Sequence, residues 1–384
     1  MNQRMPAFWK PNAYYFLFYA AAASLSPFLA LYYQSLGLDG YQIGVLTALP
    51  SIVMIFSVPL WTGYADAHHK HRLLFILATL GAIIVGFAIK ALHDFGSLIL
   101  AVIVFSVFFS SIMPFMDGAV ISMLGEKKSQ YGKIRLWGAI GWGLAAPLMG
   151  VFIERSGIQW IFWIYAVVMF MTLLVGLQIP LSLGHTGESF WRGIRKFVSP
   201  RILHFLALVF VGGLCLSALS NFLFLYMETL GASKTLMGFT LTAATLSELP
   251  MFFFADRLLL RWGARGLLLF SMGAYVLRSL LYSFAIVPWT ILLIQLLHGA
   301  TFSAMWVASV SYASEIASPG LGATAQGLVS TIMFGIGSAT GALLGGLFYQ
   351  DFGGAWMFRI IAGIAFLSLT IFFFVEKRMD AYEI

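Results

Sequence analysis

Twelve apolar runs follow one another along the chain, separated by short polar stretches. A helix needs about 20 apolar residues to cross the hydrocarbon core of a bilayer, and each run is close to that length or longer. The predicted spans of the first half are 12–36, 40–64, 72–92, 98–124, 132–154 and 159–180. Those of the second half are 201–228, 233–259, 266–286, 288–316, 319–350 and 354–376. The pattern therefore predicts an all-α membrane protein with twelve transmembrane helices.

Composition agrees with a lipid environment. Hydrophobic residues make up 60% of the 384 positions and charged residues only 10%, against about 25% charged residues in soluble domains. The single Cys215 excludes a disulfide framework, and no cluster of metal-ligating residues stands out. We expect no metal and no bound cofactor.

The distribution of basic residues predicts the orientation in the membrane. With both ends placed in the cytoplasm, sixteen of the 22 Lys and Arg residues fall in inside segments, and only Arg155 and Lys234 fall in outside loops. Cytoplasmic loops carry this excess in membrane proteins, so both termini are predicted to be cytoplasmic. Topology thus explains the net charge of +7, and no nucleic-acid partner is expected. No cleavable signal is expected either.

One longer polar connection divides the spans six and six. It predicts an N-terminal six-helix bundle at 1–184, a cytoplasmic linker at 185–200 and a C-terminal six-helix bundle at 201–384. An acid followed by basic residues recurs at the end of the second span of each half, at Asp66 with Arg72 and at Asp256 with Arg257. This recurrence favours two structural repeats.

Several segments carry charged or polar residues inside the predicted spans. They are Pro114-Phe-Met-Asp117, Tyr131-Gly-Lys-Ile-Arg135-Leu-Trp137-Gly, Ser247-Glu248-Leu-Pro250, Arg278 and Gln295-Leu-Leu-His298-Gly-Ala-Thr301-Phe302. Together they resemble the branch of the major facilitator superfamily that contains the lactose permease and the phenylpropionate transporter, over most of the chain. The resemblance implies two six-helix bundles, symport of a small-molecule solute with protons by alternating access, and a monomer in the bacterial inner membrane. It implies no enzyme activity, and the proton is the coupling ion.

Asp117 and Arg135 form the first candidate constellation. The two residues lie at similar depth on antiparallel neighbouring spans, and an intramembrane charge usually faces a partner or a cavity. Trp142 follows two helical turns after Arg135 on the same face. An acid, a guanidinium and an indole suit a sugar, because the charged groups bond its hydroxyls and the indole stacks on its ring. In the lactose permease, the residues resembling these three contact the sugar. The alternatives for the site are a structural ion pair and, for Trp142, ordinary packing.

Glu248, Arg278 and His298 form the second constellation. All three fall in the middle of predicted spans of the second half, which suits a proton relay. The resemblance implies that Arg278 and His298 take part in proton coupling. Two departures from the family leave the proton carrier open, with Glu248 and Asp117 as candidates: a key acid is replaced by Thr301, and a charge pair by Gln295 and Leu216.

The remaining predictions concern residues around these groups. Tyr14, Tyr15, Tyr19 and Asn221 are candidates to line the cavity, with packing as the alternative. Asp66, Arg72, Asp256 and Arg257 are expected to brace the cytoplasmic ends of the bundles and to influence gating. The spacing of Gly341 and Gly345 predicts close helix packing within a bundle.

Other function classes fit less well. No nucleophile–base cluster or phosphate-binding loop indicates a membrane enzyme, and no polar rings indicate a channel. A proton-driven multidrug efflux antiporter shares the fold, and a non-transporting receptor on the same scaffold is a further alternative. The interpretation that we adopt is a proton symporter for a sugar or glycoside, with import of an aromatic carboxylate such as 3-phenylpropionate as the alternative.

Overall fold

The computed structural model describes residues 8–181, 200–317 and 322–382, and every regular element among them is a helix. The first half contains α1 (Trp9–Leu25), α2 (Leu29–Ser35), α3 (Gly40–His68), α4 (His71–Ala88), α5 (Phe95–Leu124), α6 (Tyr131–Ser156) and α7 (Trp160–Gly176). The second half contains α8 (Pro200–Thr229), α9 (Lys234–Phe253), α10 (Ala255–Ser283), α11 (Pro288–Ile294), α12 (Ala304–Ile316), α13 (Gly322–Ser330) and α14 (Ser338–Tyr382). Short 3-10 or π-helical turns adjoin several of them, at Ser26–Phe28, Ile89–Ala91, Gly125–Gln130, Gln295–Leu297, Gly299–Ser303 and Thr331–Gly337.

Ten helical stretches of the described residues are long and apolar enough to cross a membrane. Two places account for the difference from the predicted twelve. Helix α7 is apolar, but with 17 residues it is too short to be counted as a span. The stretch Ala325–Arg378 counts as one long helix, although two spans are predicted there. Within that stretch Gly353 has a φ of 76°, a left-handed conformation that breaks the helix and suits glycine. The all-helical membrane fold is confirmed, whereas the number of spans and the location of the termini stay predictions.

Large apolar side chains cover the outer faces of these helices. Leu60, Leu148 and Phe253 are 71%, 69% and 77% exposed. A water-soluble protein rarely exposes so much contiguous apolar surface, and helices satisfy their backbone groups internally, as a bilayer requires. The exposed faces are therefore lipid-facing.

The described residues divide into two compact units. The first unit contains the described residues of Met1–Tyr32, Val53–Thr186 and Ser233–Thr242. The second unit contains those of Tyr33–Ile52, Gly187–Ala232 and Ala243–Ile384. The start of α3 thus belongs with the second unit and the start of α9 with the first. The predicted domain boundaries stay a prediction, and the linker predicted at 185–200 lies outside the described residues except for Pro200.

Glycines allow the start of α3 to pack closely on the second unit and the start of α9 to pack closely on the first. In the second unit a Cβ on Gly44 would lie 2.7 Å from the Ala342 carbonyl oxygen, and Gly40 N–H donates to Gln350 Oε1 at 2.7 Å. In the first unit a Cβ on Gly238 would lie 2.5 Å from the Ala146 carbonyl oxygen. Such contacts hold membrane helices together, because lipid tails provide little hydrophobic driving force between them.

The close packing predicted around Gly341 and Gly345 is confirmed. A Cβ on Gly341 would lie 2.2 Å from the Leu214 carbonyl oxygen, and one on Gly345 would lie 2.9 Å from the Phe222 ring. Helix α14 therefore packs directly on α8 within the second unit.

Candidate functional site

An ion pair lies inside the apolar helices of the first unit. Arg135 Nη1, near the start of α6, donates to Asp117 Oδ1 at 2.9 Å and to Oδ2 at 3.1 Å. The side chains of Arg135 and Asp117 are 38% and 29% exposed. The predicted pairing is thus present, and the pair remains partly accessible instead of sealed in a core.

Tyrosines from α1 and α6 surround this ion pair. The Tyr15 hydroxyl donates to Asp117 Oδ1 at 2.5 Å, and Arg135 Nη2 donates to the Tyr19 hydroxyl oxygen at 2.6 Å. The guanidinium carbon also lies 5.6 Å from the Tyr15 ring centre and 5.3 Å from the Tyr19 ring centre, within cation–π range. Tyr131 adds a weaker contact, its hydroxyl oxygen accepting from Arg135 Nη1 at 3.4 Å.

The close crossing of α1 and α6 places the guanidinium against the tyrosines. A Cβ on Gly138 would lie 2.5 Å from the Tyr19 ring, and one on Gly141 would lie 2.2 Å from the Phe16 carbonyl oxygen. Both positions require glycine for this approach. They occupy the α6 face that also carries Arg135, since residues three or four apart lie on one side of a helix.

The other predicted substrate residues are less tightly engaged. Trp142 lies half-buried on α6, two turns from Arg135, and no ring contact or hydrogen bond of its side chain occurs among the described residues. Asn221, in the second unit, donates from Nδ2 to Ser217 Oγ at 3.0 Å on its own helix. Tyr14 is fully buried and stacks with Phe18, and its part in lining a cavity stays a prediction.

A chain of polar side chains lies inside the second unit. Glu248 Oε1 of α9 lies 3.3 Å from His298 Nε2, and the other ring nitrogen of His298, Nδ1, lies 3.0 Å from Arg278 Nη1. The Glu248 and His298 side chains are 22% and 13% exposed, and Arg278 is 2% exposed. The three residues predicted for proton coupling therefore meet in one chain of contacts.

The contacts of His298 determine its neutral tautomer. A guanidinium nitrogen only donates hydrogen bonds, so Nδ1 accepts from Arg278 and carries no proton. The proton of the neutral ring then lies on Nε2, facing the Glu248 carboxylate. This assignment follows from the hydrogen-bond partners, and it makes the imidazole a bridge between a cation and an acid.

Arg278 is further held by neutral groups. Its Nη1 donates to Thr301 Oγ1 at 2.9 Å, its Nη2 to Gln295 Oε1 at 2.5 Å and its Nε to the Tyr282 hydroxyl oxygen at 3.1 Å. These bonds compensate the desolvation of a buried guanidinium, which is expensive when left unpaired.

The helix carrying His298 is distorted where these bonds form. Residues Gly299–Ser303 form a π-helical turn, a feature that is frequent at functional sites. Gly299 N–H donates to Ser247 Oγ at 2.9 Å, and a Cβ on Gly299 would lie 2.0 Å from the Ser247 carbonyl oxygen. Gly299 thus allows the His298 segment to reach Glu248 on α9.

We expect Gly299→Ala to weaken this site, because the new methyl group would push α9 away by an ångström or more. Overpacking of this kind costs about 1–3 kcal/mol, so the thermal unfolding midpoint and transport should both fall. Gly273→Ala is the matched control, since a Cβ at Gly273 meets nothing within 4 Å. Equal behaviour of the two variants in a detergent melting assay and in transport would contradict the role given to Gly299.

The predicted bracing residues have the following surroundings. Asp66 Oδ1 contacts His71 Nε2 at 2.8 Å, a partner that the sequence prediction did not name. Arg72 Nη2 donates to the Leu177 carbonyl oxygen at 3.5 Å. Arg257 lies over the Phe254 ring at 5.5 Å. The gating role of these residues and of Asp256 stays a prediction.

Sequence reasoning gave no role to Glu376, which ends the last predicted span. Its side chain is fully buried and accepts from the Tyr312 hydroxyl at 3.0 Å. Its Oε2 lies 3.7 Å from Arg201 Nη2 and 3.9 Å from Arg265 Nε. In the sequence, an acid next to Lys377 and Arg378 looks like part of a solvent-exposed helix end. Nothing in the local sequence indicates that Glu376 is buried.

Comparison with known proteins settles the family. The pattern of the MFS_1 like family matches residues 8–360. The chain belongs to this family. The maltose permease of Geobacillus stearothermophilus is 26% identical over 371 residues, covering 95% of this chain and 93% of the relative. The "Probable 3-phenylpropionic acid transporter" of Escherichia coli (strain K12) is 24% identical over 367 residues, covering 91% and 93%.

Solved structures agree on the fold. The crystal structure of the nucleoside transporter NupG superposes with a TM-score of 0.85 at 18% identity, covering 96% of this chain and 98% of that one. Membership of the MFS_1 like family makes the protein a multi-pass transporter of the major facilitator superfamily and not an enzyme. No group of three or more metal-ligating side chains occurs in the part of the chain that the structure describes.

The structure explains two positions at which this MFS_1 like protein differs from the lactose permease branch that it resembles. Thr301 and Gln295, which stand where acids or charge partners were expected, are both hydrogen-bond acceptors for Arg278. Neutral oxygens thus accept from the guanidinium at two positions where the resemblance led us to expect charged residues. Glu248 is then the acid that remains next to His298.

Proposed function

We propose that this MFS_1 like transporter is a proton-coupled symporter that imports a sugar or glycoside by alternating access across the bacterial inner membrane, as a monomer. The observation that carries the proposal is the partly exposed Asp117–Arg135 pair surrounded by tyrosines. A carboxylate accepts from sugar hydroxyls, a guanidinium donates to them, and an aromatic face stacks on the apolar side of the ring. The similarity to a maltose permease supports the same substrate class.

The geometry around His298 supports Glu248 as the proton carrier. A proton added to His298 would go to Nδ1, where it would face the donors of Arg278 at 3.0 Å. A proton added to Glu248 meets no such opposition, because the carboxyl can rotate its hydroxyl away from Nε2. Protonation would also remove the charge that the imidazole bridges to Arg278, and so weaken the contact between α9 and the His298 segment.

A second candidate substrate is an aromatic carboxylate. The observation that favours it is the position of two tyrosine rings on the Arg135 guanidinium. A substrate carboxylate could replace Asp117 on this guanidinium while its ring packs on the tyrosines. The similarity to a transporter named for 3-phenylpropionic acid points in the same direction.

Competition between the two compound classes tests the choice. We expect a panel of glycosides, but not phenylpropionate, to inhibit uptake of a labelled sugar by the protein in liposomes. Trp142→Phe is expected to lower glycoside affinity by up to about tenfold, because the smaller phenyl ring covers less of the sugar ring and aromatic contacts of this kind are worth roughly 0.5–1.5 kcal/mol. Trp262→Phe, at a 42% exposed site, is the control.

The opposite results are equally informative. Inhibition by phenylpropionate alone, with Trp142→Phe unchanged, would replace the sugar by the aromatic acid. Outward movement of hydrophobic compounds, with no uptake of either class, would indicate efflux. Binding of a solute without any transport would indicate a receptor on this scaffold.

A further inference from the structure

A partly polar pocket of the first unit is lined by residues other than those of the ion pair. It has a volume of about 380 Å³ and is lined by Lys90, Ser156, Gly157, Gln159, Trp160 and Trp163. Lys90 lies in the 3-10 turn after α4, and the other lining residues lie at the end of α6, in the connection that follows it and at the start of α7. The basic-residue distribution predicts this end of the helices to be on the outside of the membrane. Tryptophans at this level are typical of the lipid–water interface.

An apolar groove adjoins this pocket. It has a volume of about 510 Å³, runs between α4 and α7, and is lined by apolar residues alone, among them Ile84, Ala166 and Phe170. Trp163 lines both the groove and the pocket. The surface thus has the polarity of a phospholipid, with an apolar trough that leads to a polar end.

Lys90 supplies the charge at the polar end. Its carbonyl oxygen accepts from the Tyr32 hydroxyl at 3.1 Å, which fixes the backbone there, and its ammonium lies 5.2 Å from the Trp163 ring centre. The Trp163 ring is held in turn by Phe87, with ring centres 4.6 Å apart. No carboxylate of the described residues forms an ion pair with Lys90.

The acids nearest along the chain are engaged elsewhere. Asp94 caps α5, accepting from Ser97 N–H at 2.9 Å and from the Ser97 hydroxyl, and these bonds hold the pKa of its carboxyl below the usual value. Glu154 accepts from the N–H and hydroxyl of Thr235. Neither of these carboxylates therefore forms an ion pair with the Lys90 ammonium.

We propose that this surface binds one anionic phospholipid. Its phosphate lies against the Lys90 ammonium, with Ser156 and Gln159 as hydrogen-bond partners for the headgroup, and an acyl chain lies in the groove between α4 and α7. Charge complementarity selects an anionic headgroup, since the Lys90 ammonium attracts a net negative charge more strongly than a zwitterionic headgroup. The lipid packs against α4 and α7 and does not enter the Asp117 site.

Native mass spectrometry of the detergent-purified protein tests this proposal. The protein is mixed with phosphatidylglycerol or phosphatidylcholine at equal concentration, and retained lipid is counted. We expect one phosphatidylglycerol to be retained in preference to phosphatidylcholine. Lys90→Gln should lower phosphatidylglycerol retention about fivefold, and Lys90→Arg should restore it. Lys377→Gln, at the exposed end of α14, should have no effect.

The groove has a test of its own. Ala166→Trp fills the trough without a change of charge and should lower retention of both lipids, while the unfolding midpoint reports that the variant is folded. Glycerol 3-phosphate, which has a phosphate but no acyl chain, should not displace the lipid at millimolar concentration. Displacement by glycerol 3-phosphate, unchanged retention in Lys90→Gln, or an equal loss in Lys377→Gln would each overturn the proposal.

Discussion

Asp117→Asn is expected to reduce solute uptake about 30-fold or more, the larger of the effects expected at the first-unit site. The substitution keeps the shape of the side chain but removes its charge, so Arg135 loses its ion-pair partner and the solute loses a strong acceptor. Truncation of one partner of a hydrogen-bonded charge pair costs about 2–5 kcal/mol, and the lower end applies because the pair is partly exposed. Initial uptake rates in liposomes measure the change.

Asp351→Asn is the matched control for this variant, because Asp351 is an exposed acid of α14. We expect its uptake to equal that of the unmodified protein. A normal uptake rate and affinity in Asp117→Asn would mean that the ion pair only joins α5 to α6, and the proposed binding site would be wrong. Comparison of the unfolding midpoints separates a loss of binding from a loss of folding.

Glu248→Gln is expected to abolish accumulation of the solute while exchange of solute across the membrane continues. One proton driven across 100 mV provides about 2.3 kcal/mol, which supports about fiftyfold accumulation. Without a group at position 248 that ionises, this ratio should fall to about one. Counterflow of labelled solute against unlabelled solute should persist, because it needs no net proton movement.

His298→Gln should reduce accumulation less than Glu248→Gln, since the ring bridges Arg278 and Glu248 but is not the assigned carrier. Glu315→Gln changes an acid whose side-chain hydrogen bond among the described residues comes from Ser311 at 3.3 Å, and we expect full accumulation from it. If Glu248→Gln still accumulates solute fiftyfold, the assignment of the proton carrier to Glu248 fails, and Asp117 becomes the remaining candidate.

The sequence predicts the fold well because the membrane imposes it locally. An apolar run of sufficient length can only be a buried or spanning helix, so the runs translate directly into helices. The count of spans is harder, since α7 is short and the boundary between the last two predicted spans is a single break at Gly353 within one helical stretch. In the sequence, the glycine itself is the main indication of the break at Gly353.

The candidate site is partly predictable for a related reason. Charged residues such as Asp117, Arg135 and Arg278 are conspicuous in apolar spans, since their burial is costly. Their neutral partners are not conspicuous. Thr301 and Gln295 look like lost charges in the sequence, and only the three-dimensional contacts identify them as acceptors for Arg278.

The contacts of Tyr15, Tyr131 and Glu376 are also difficult to predict from the sequence. Tyr131 precedes Arg135 by four residues, and this spacing places them on one helix face, so it was available as a signal. Tyr15 reaches Asp117 from a distant part of the chain, and an aromatic residue in a chain rich in them carries little information. Glu376 resembles any acid at a helix end, and its burial depends on Tyr312 and the arginines around it.

Proton movement driven by solute is the measurement that tests the central claim most directly. The purified protein is placed in liposomes with a pH-sensitive dye inside, and a panel of glycosides and aromatic acids is added outside without a membrane potential. The account predicts acidification of the lumen with a glycoside, and no such signal with Glu248→Gln. Solute entry without any change in luminal pH, beside a working control symporter, would contradict proton symport.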